Sequence, residues 1–149
     1  MRLDQSRESA RVLRAIRERR DCGRVHVAIY EIEGERPDAN AVMESAGLAP
    51  VAELELTRDD ALTATTEVLA RDLAHRATIM AREDAEALAA SFLDCFGEAA
   101  RYYTNGELLV AQALGTSGAW EAATNATFDS GIVVVSPGRA GLLWVEDED

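Results

Sequence analysis

A stretch of 46 residues without glycine or proline limits what this chain can fold into. It extends from Val51 to Phe96 and is rich in alanine. Because glycine and proline are the residues that most often interrupt helices, such a run favours helix over most of its length. Thr57-Arg-Asp-Asp60 resembles a capping box with Asp in place of the usual Glu. The β-branched pair Thr78-Ile79, followed by acids at 83 and 84, indicates a break. We therefore predict two helices, the second starting near Arg82, packed on one face of a sheet.

The segments before this stretch alternate between helical and extended patterns. Ser6 to Asp21 carries a narrow apolar stripe behind a capping residue, Ser6 or Asp4, and predicts a helix. Val25 to Glu33 is apolar on both faces, which is typical of a central strand. Asp38 caps a predicted short helix that ends at Gly47. Ala52 to Thr57 alternates leucine with glutamate, as a half-exposed strand does.

The last third predicts two hairpins. Residues 101–114 contain Asn105-Gly106, the dipeptide typical of a type I′ turn. Residues 131–145 contain Pro137-Gly138 between two apolar runs. With no repeat or low-complexity linker in the sequence, we predict one α+β domain over residues 1–149, a mainly antiparallel sheet with helices packed on one face.

Composition and length exclude several classes of protein. A chain of 149 residues with 48% hydrophobic residues can build a core without disulfides or a structural metal. Its apolar runs are only a few residues long, so we expect no membrane span. No secretory signal is recognisable at the N-terminus, and the two cysteines do not form a disulfide framework. We therefore expect a cytoplasmic protein.

The charge is strongly and unevenly negative. The net charge is −12, and every basic residue is an arginine. Residues 1–24 hold eight arginines and four acids, a balance of +4, so residues 25–149 carry −16. That larger part repels a phosphate backbone, which disfavours nucleic-acid binding, but it attracts a basic protein.

Residues for metal or nucleophilic chemistry are sparse. The histidines, His26 and His75, have no second histidine or cysteine at a ligand spacing, and neither a nucleophile elbow nor a phosphate loop occurs. We therefore expect no cofactor, no metal and no enzymatic activity. The alternative comes from Phe128-Asp-Ser-Gly131, which resembles the active-site tetrad of aspartic proteases. One copy per chain would require a dimer to pair two Asp129 side chains, whereas a structural role would have Asp129 cap or turn the chain.

The C-terminal segment resembles another class. It combines Trp120, Thr127-Phe-Asp-x-Gly131, an apolar strand, a Pro-Gly turn and the acidic ending Leu143 to Asp149. In this it resembles the endings of small acidic bacterial immunity proteins, which neutralise a toxin. The resemblance implies a single-domain inhibitor without catalytic residues.

The resulting hypothesis is an acidic binding protein, a monomer or homodimer, that neutralises a basic toxin domain. A structural or assembly module without catalysis is the other alternative. The acids on the predicted strand and on the acidic turn that follows it are held in place by regular structure, so they lose little chain entropy on binding. The C-terminal acids are expected to form a solvated tail. Trp120, in a polar loop, is the candidate anchor, although a core tryptophan fits its sequence equally well. The candidate contacts are Trp120, Glu53, Glu55, Asp59, Asp60, Glu146, Asp147, Glu148 and Asp149.

Overall fold

The structure, a computed structural model, describes residues 1–148 of the chain. Its helices are α1 (Arg7–Arg19), α2 (Ala39–Ser45), α3 (Arg58–Ala70), α4 (Arg82–Asp94) and α5 (Leu108–Ala113). Its strands are β1 (Arg2–Leu3), β2 (Arg24–Glu31), β3 (Leu54–Leu56), β4 (Arg101–Thr104), β5 (Phe128–Val135) and β6 (Arg139–Asp147). None of the helices in this part of the chain is long and apolar enough to cross a bilayer.

The six strands form one antiparallel sheet in the order β1-β2-β6-β5-β4-β3. β5 and β6 are adjacent in sequence and pair over their whole length as the predicted hairpin. At its turn Gly138 has a φ of +91°, and the backbone N–H of Ser136 donates to Arg139 O (2.9 Å). The α+β class and the antiparallel sheet are thus confirmed. The order leaves β1 and β3 as the two outer strands.

The breaker-free stretch forms the two predicted helices. Thr57 caps α3 by accepting a bond from the backbone N–H of Asp60 (3.1 Å), and α4 begins at Arg82 as predicted. Between them the chain reverses, with Arg76 in the left-handed region at a φ of 57°. Ser6 and Asp38 cap α1 and α2 in the same way. Local capping chemistry therefore sets these helix starts.

Apolar side chains cover both faces of the sheet. Ile132 and Val134 face a core shared with α1, α3, α4 and α5, and the alternate residues Val133 and Val135 face a second core against α2. Since successive side chains of a strand point to opposite faces, the unbroken apolar run of β5 fills both cores. Helices α3 and α4 pack on one face, as predicted, together with α1 and α5, and the short helix α2 covers the other face.

The predicted hairpin over residues 101–114 is wrong in its second half. β4 ends at Thr104, and residues 108–113 form helix α5 rather than a returning strand. The Asn105 side chain is buried: its amide donates to Glu121 O (2.6 Å) and Asp129 O (3.1 Å), and its Oδ1 accepts from Ser130 Oγ (2.6 Å). Because these bonds join Asn105 to residues far away in the sequence, Asn105-Gly106 does not form the turn of a hairpin. Gly106 is needed instead for close approach, because a Cβ there would lie 2.3 Å from Ala119 O.

Candidate functional site

Asp129 is a fully buried structural carboxylate inside β5. Backbone N–H groups of Ala123 and Thr124 donate to it at 2.8 and 3.0 Å, and the Thr124 hydroxyl donates at 2.9 Å. The indole N–H of Trp144 supplies a fourth bond at 3.1 Å. These four bonds use the carboxylate oxygens that a catalytic aspartate would need free to contact substrate in a cleft. The arrangement fixes the 121–127 loop on the sheet and gives the hydrolase alternative no exposed carboxylate.

The predicted solvated tail is wrong for Glu146 and Asp147, because β6 continues through both residues. Asp147 is 2% exposed and pairs with Arg20 (Nη2 to Oδ2, 2.7 Å). Glu146 is half-buried and contacts His26 Nε2. Glu148 is exposed and accepts a bond from the Thr127 hydroxyl (2.8 Å), and Asp149 lies outside the described residues. Asp147 therefore cannot contact a partner while the strand is intact.

One group of side chains brings together atoms of the kind that bind metals. The candidate ligand atoms of Cys22, Asp72 and Asp147 lie within 4.8 Å of one another. The guanidinium of Arg20 already neutralises Asp147. Burial, followed by the negative charge of Asp147, raises the pKa of the Cys22 thiol, which disfavours the thiolate that binds metal. Asp72 Oδ1 accepts the backbone N–H of Ala74 (2.8 Å). Structural contacts therefore account for the two carboxylates of this group.

The acids predicted at the strand and at the following turn occupy one end of the sheet. Glu53, Glu55, Asp59 and Asp60 are all exposed. Glu55 lies in β3 and Glu53 precedes it, whereas Asp59 and Asp60 lie in the first turn of helix α3 rather than in a separate turn. Among the described strands β3 pairs only with β4, so its outer edge has no strand partner. Unpaired N–H and C=O groups on such an edge are a ready site for adding a strand from another chain.

An apolar groove lies beside this outer edge. Its volume is about 390 Å³, and it contains two of the most exposed leucines, Leu54 at 37% and Leu114 at 74%. Three acids, Glu55, Asp60 and Glu107, border it. The remaining lining residues are Leu56, Val110, Ala111, Thr116 and Ser117. We call these ten residues the β3 groove. Apolar side chains ringed by acids suit a partner segment that is both apolar and basic.

Trp120 is half-buried, so it is neither the fully exposed anchor nor the core tryptophan that the sequence allows. Its ring stacks on Phe128 with centroids 6.0 Å apart. The preceding residue, Ala119, accepts the backbone N–H of Glu107 (2.8 Å), so Trp120 is held beside the Glu107 end of the β3 groove. Backbone pairing therefore positions the main chain at Trp120, and stacking on Phe128 positions the indole.

Of the ten residues of the β3 groove, the sequence predicts only Glu55 and Asp60 as contacts. Glu107 and Leu114 lie in the segment predicted as a hairpin, a structure that does not relate their side chains to β3. The available signal was Leu114 itself, a large apolar residue directly before Gly115 and a polar loop. A leucine followed by glycine is typical of a helix end, and α5 ends there.

The chain matches no family model, no curated protein and no solved structure.

Proposed function

We propose that this chain is an inhibitory binding protein that docks on a basic protein partner, as a bacterial immunity protein docks on its toxin. The observation that carries the proposal is the β3 groove, where exposed leucines, acids and an open strand edge coincide. Each feature alone is common on protein surfaces. Their coincidence supplies an apolar anchor site, charge complementarity and main-chain hydrogen bonding in one place.

The net charge acts before contact. The acids of residues 25–149 create a negative field, and a cationic partner is steered toward it at low ionic strength. Toxins that act on nucleic acids carry cationic clefts, so a basic toxin domain is the partner we propose. The acids contribute mainly to the rate of association, and Leu54 and Leu114 contribute mainly to the lifetime of the complex.

The proposed contact surface revises the sequence hypothesis. Glu55 and Asp60 stay in it as part of the β3 groove, with Asp59 and Trp120 beside it. Glu53 leaves it, because its carboxylate accepts a bond from the Asn40 side chain of α2 (3.1 Å) and lines a separate pocket there. Asp147 leaves the surface because it is buried, and Glu146 leaves it because it contacts His26. We propose a cytoplasmic protein that acts as a monomer or homodimer, without a cofactor, a catalytic role or direct contact with nucleic acid.

The test is co-expression with the product of the adjacent gene, scored as rescue of growth. Wild type is expected to rescue. The groove variant Glu55→Gln/Asp60→Asn/Glu107→Gln is expected to rescue less well, because the steering charge next to the anchors is gone. A matched control, Glu33→Gln/Glu35→Gln/Glu44→Gln, removes three exposed charges elsewhere and should rescue like wild type.

Failure of wild type to rescue, together with no complex on size exclusion at low salt, would contradict the inhibitor proposal. Equal loss of rescue in the two triple variants would keep an acidic binding protein but remove the β3 groove as its site. A complex that forms without rescue would favour an assembly module.

A further inference from the structure

A second surface has the opposite charge and lies toward the other end of the sheet. Helix α1 exposes Arg7, Arg11, Arg14 and Arg17 at spacings of four, three and three residues, which places them along one side of the helix. They line a groove of about 800 Å³ between α1 and β2. Its apolar lining residues are Leu3, Ala10, Leu13, Val27, Ala28 and Ile29. We call this the arginine groove.

Two of these arginines are without a partner in the described part of the chain. The side chains of Arg7 and Arg11 make no hydrogen bond or ion pair there. Arg14 has only a long contact with exposed Glu18 (3.7 Å), and Arg17 donates to the backbone carbonyl of Val27 (2.9 Å). In a chain with 27 acids, two uncompensated arginines on one helix face leave a local excess of positive charge.

The neighbouring strand edge is also open. β1 pairs only with Tyr30 and Glu31 of β2, and the backbone N–H of Asp4 reaches Ile29 O (2.8 Å). Along residues 24–28, no described strand lies on the outer side of β2. The guanidinium of Arg17 satisfies the Val27 carbonyl at this edge, so the groove combines an apolar floor with cations at its rim.

We propose that the arginine groove binds an extended acidic segment of a second protein. Arg7 and Arg14 are separated by about 10 Å along the helix axis, since an α-helix rises about 1.5 Å per residue. An extended chain covers that distance in three residues, at about 3.3 Å each. Side chains four positions apart point to the same side of an extended chain, so two carboxylates at that spacing reach both arginines, whose long side chains make up the small difference in distance. Apolar side chains between them cover Leu3 and Leu13.

Protein is the occupant that the groove fits best. A nucleic acid would extend its phosphates along a molecule that carries −16 outside residues 1–24. A membrane surface is flat, whereas these arginines border a concave groove that contains apolar side chains. A short acidic segment meets the positive face without covering the negative one. Because β3 and β1 are at opposite ends of the sheet, both surfaces can be occupied at once.

The test measures fluorescence anisotropy with a labelled ten-residue peptide that has glutamate at every fourth position and leucine or valine between. Wild type is expected to bind it with an affinity that falls with added salt. Arg7→Gln/Arg11→Gln/Arg14→Gln should weaken binding roughly tenfold, because exposed ion pairs with the peptide are lost. The control Arg58→Gln/Arg76→Gln/Arg101→Gln removes three exposed arginines outside α1 and β2 and should change binding less than twofold.

Several outcomes would overturn the proposal. One is no binding by wild type, and another is equal weakening in both variants, which would indicate net charge alone. Arginine-dependent binding to phosphatidylserine vesicles or to a single-stranded oligonucleotide, without peptide binding, would assign the groove to a membrane or a nucleic acid instead. Thermal melts that match wild type show that the variants are folded. None of these results depends on the partner of the β3 groove.

Discussion

Arg20 and Asp147 form an ion pair that is buried on both sides, with side chains 0% and 2% exposed and Nη2 2.7 Å from Oδ2. Arg20 also donates to the backbone carbonyls of Val68 (2.6 Å) and Cys22 (2.7 Å), and Asp147 accepts the backbone N–H of Leu73 (2.8 Å). The pair therefore joins the end of α1 to the last strand and to the segment after α3.

Asp147→Asn should lower the free energy of unfolding by about 3–5 kcal/mol, because it leaves a buried guanidinium without a countercharge. Glu31→Gln is the control, since Glu31 pairs with exposed Arg2 and should cost at most about 1 kcal/mol. Urea unfolding measures both. A cost below 1 kcal/mol for Asp147→Asn would contradict this role.

Asp129→Ala should destabilise by about 3 kcal/mol or more. It leaves the buried N–H groups of Ala123 and Trp144 without an acceptor, each worth about 1–3 kcal/mol. Thr124→Val, which removes one hydroxyl donor to Asp129 at a half-buried position with little change in side-chain shape, should cost less. The stability of each variant is measured by urea unfolding, and an Asp129→Ala variant as stable as wild type would contradict the structural role of Asp129. A peptidase activity that wild type has and Asp129→Ala lacks would restore the hydrolase alternative.

Gly106→Ala should destabilise much more than Gly115→Ala, although both glycines have a positive φ (144° and 74°). A Cβ at Gly106 meets the Ala119 carbonyl at 2.3 Å, whereas a Cβ at Gly115 meets nothing within 4 Å. Gly115→Ala should cost only the left-handed strain, about 1–2 kcal/mol. Thermal melts of the two variants should differ by several degrees, and equal melting temperatures would refute the close-approach explanation.

The contribution of Asp4 to stability should depend on pH. Burial opposes its charged form, but hydrogen bonds from Ser6 and Ser9 and the charge of Arg139 outweigh burial and lower the pKa of the Asp4 carboxyl. A lowered pKa in the folded state means that the stabilisation is complete above the ordinary value of about 3.9 and is lost as the pH falls through the folded value.

Asp4→Ala should therefore cost about 1.5–3 kcal/mol at pH 7, where the carboxylate accepts its bonds, and less near pH 3. Urea unfolding of both proteins across this range measures the difference. A difference that stays constant between pH 7 and pH 3 would show that the negative charge of Asp4 does not stabilise the fold.

The elements that could be predicted from the sequence are those set by neighbouring residues. Caps at Ser6, Asp38 and Thr57 define helix starts through bonds within three positions, and Pro137-Gly138 turns a hairpin whose strands are adjacent in sequence. Each of these signals lies within a short window. The fold class follows from them.

The elements that were missed depend on residues far apart in the sequence. Asn105-Gly106 has the local pattern of a hairpin turn, but Glu121 and Asp129 take the bonds of the asparagine side chain. Asp147 belongs to an acidic ending and was expected to be solvated, yet its partner is 127 positions away. The β3 groove likewise joins Leu54 to Leu114, a proximity that only the packing of α5 creates.

The central claim is that the β3 groove anchors a basic partner, and Leu114 tests it most directly. Leu114→Asp should be compared with Leu3→Asp, a substitution of a 57%-exposed leucine on the outer strand at the opposite end of the sheet. Binding kinetics with the purified product of the adjacent gene should show a dissociation rate at least about tenfold faster for Leu114→Asp, the size expected for an anchor residue. Leu3→Asp should bind like wild type. Unchanged dissociation of the Leu114→Asp complex, or equal effects of the two substitutions, would contradict the account.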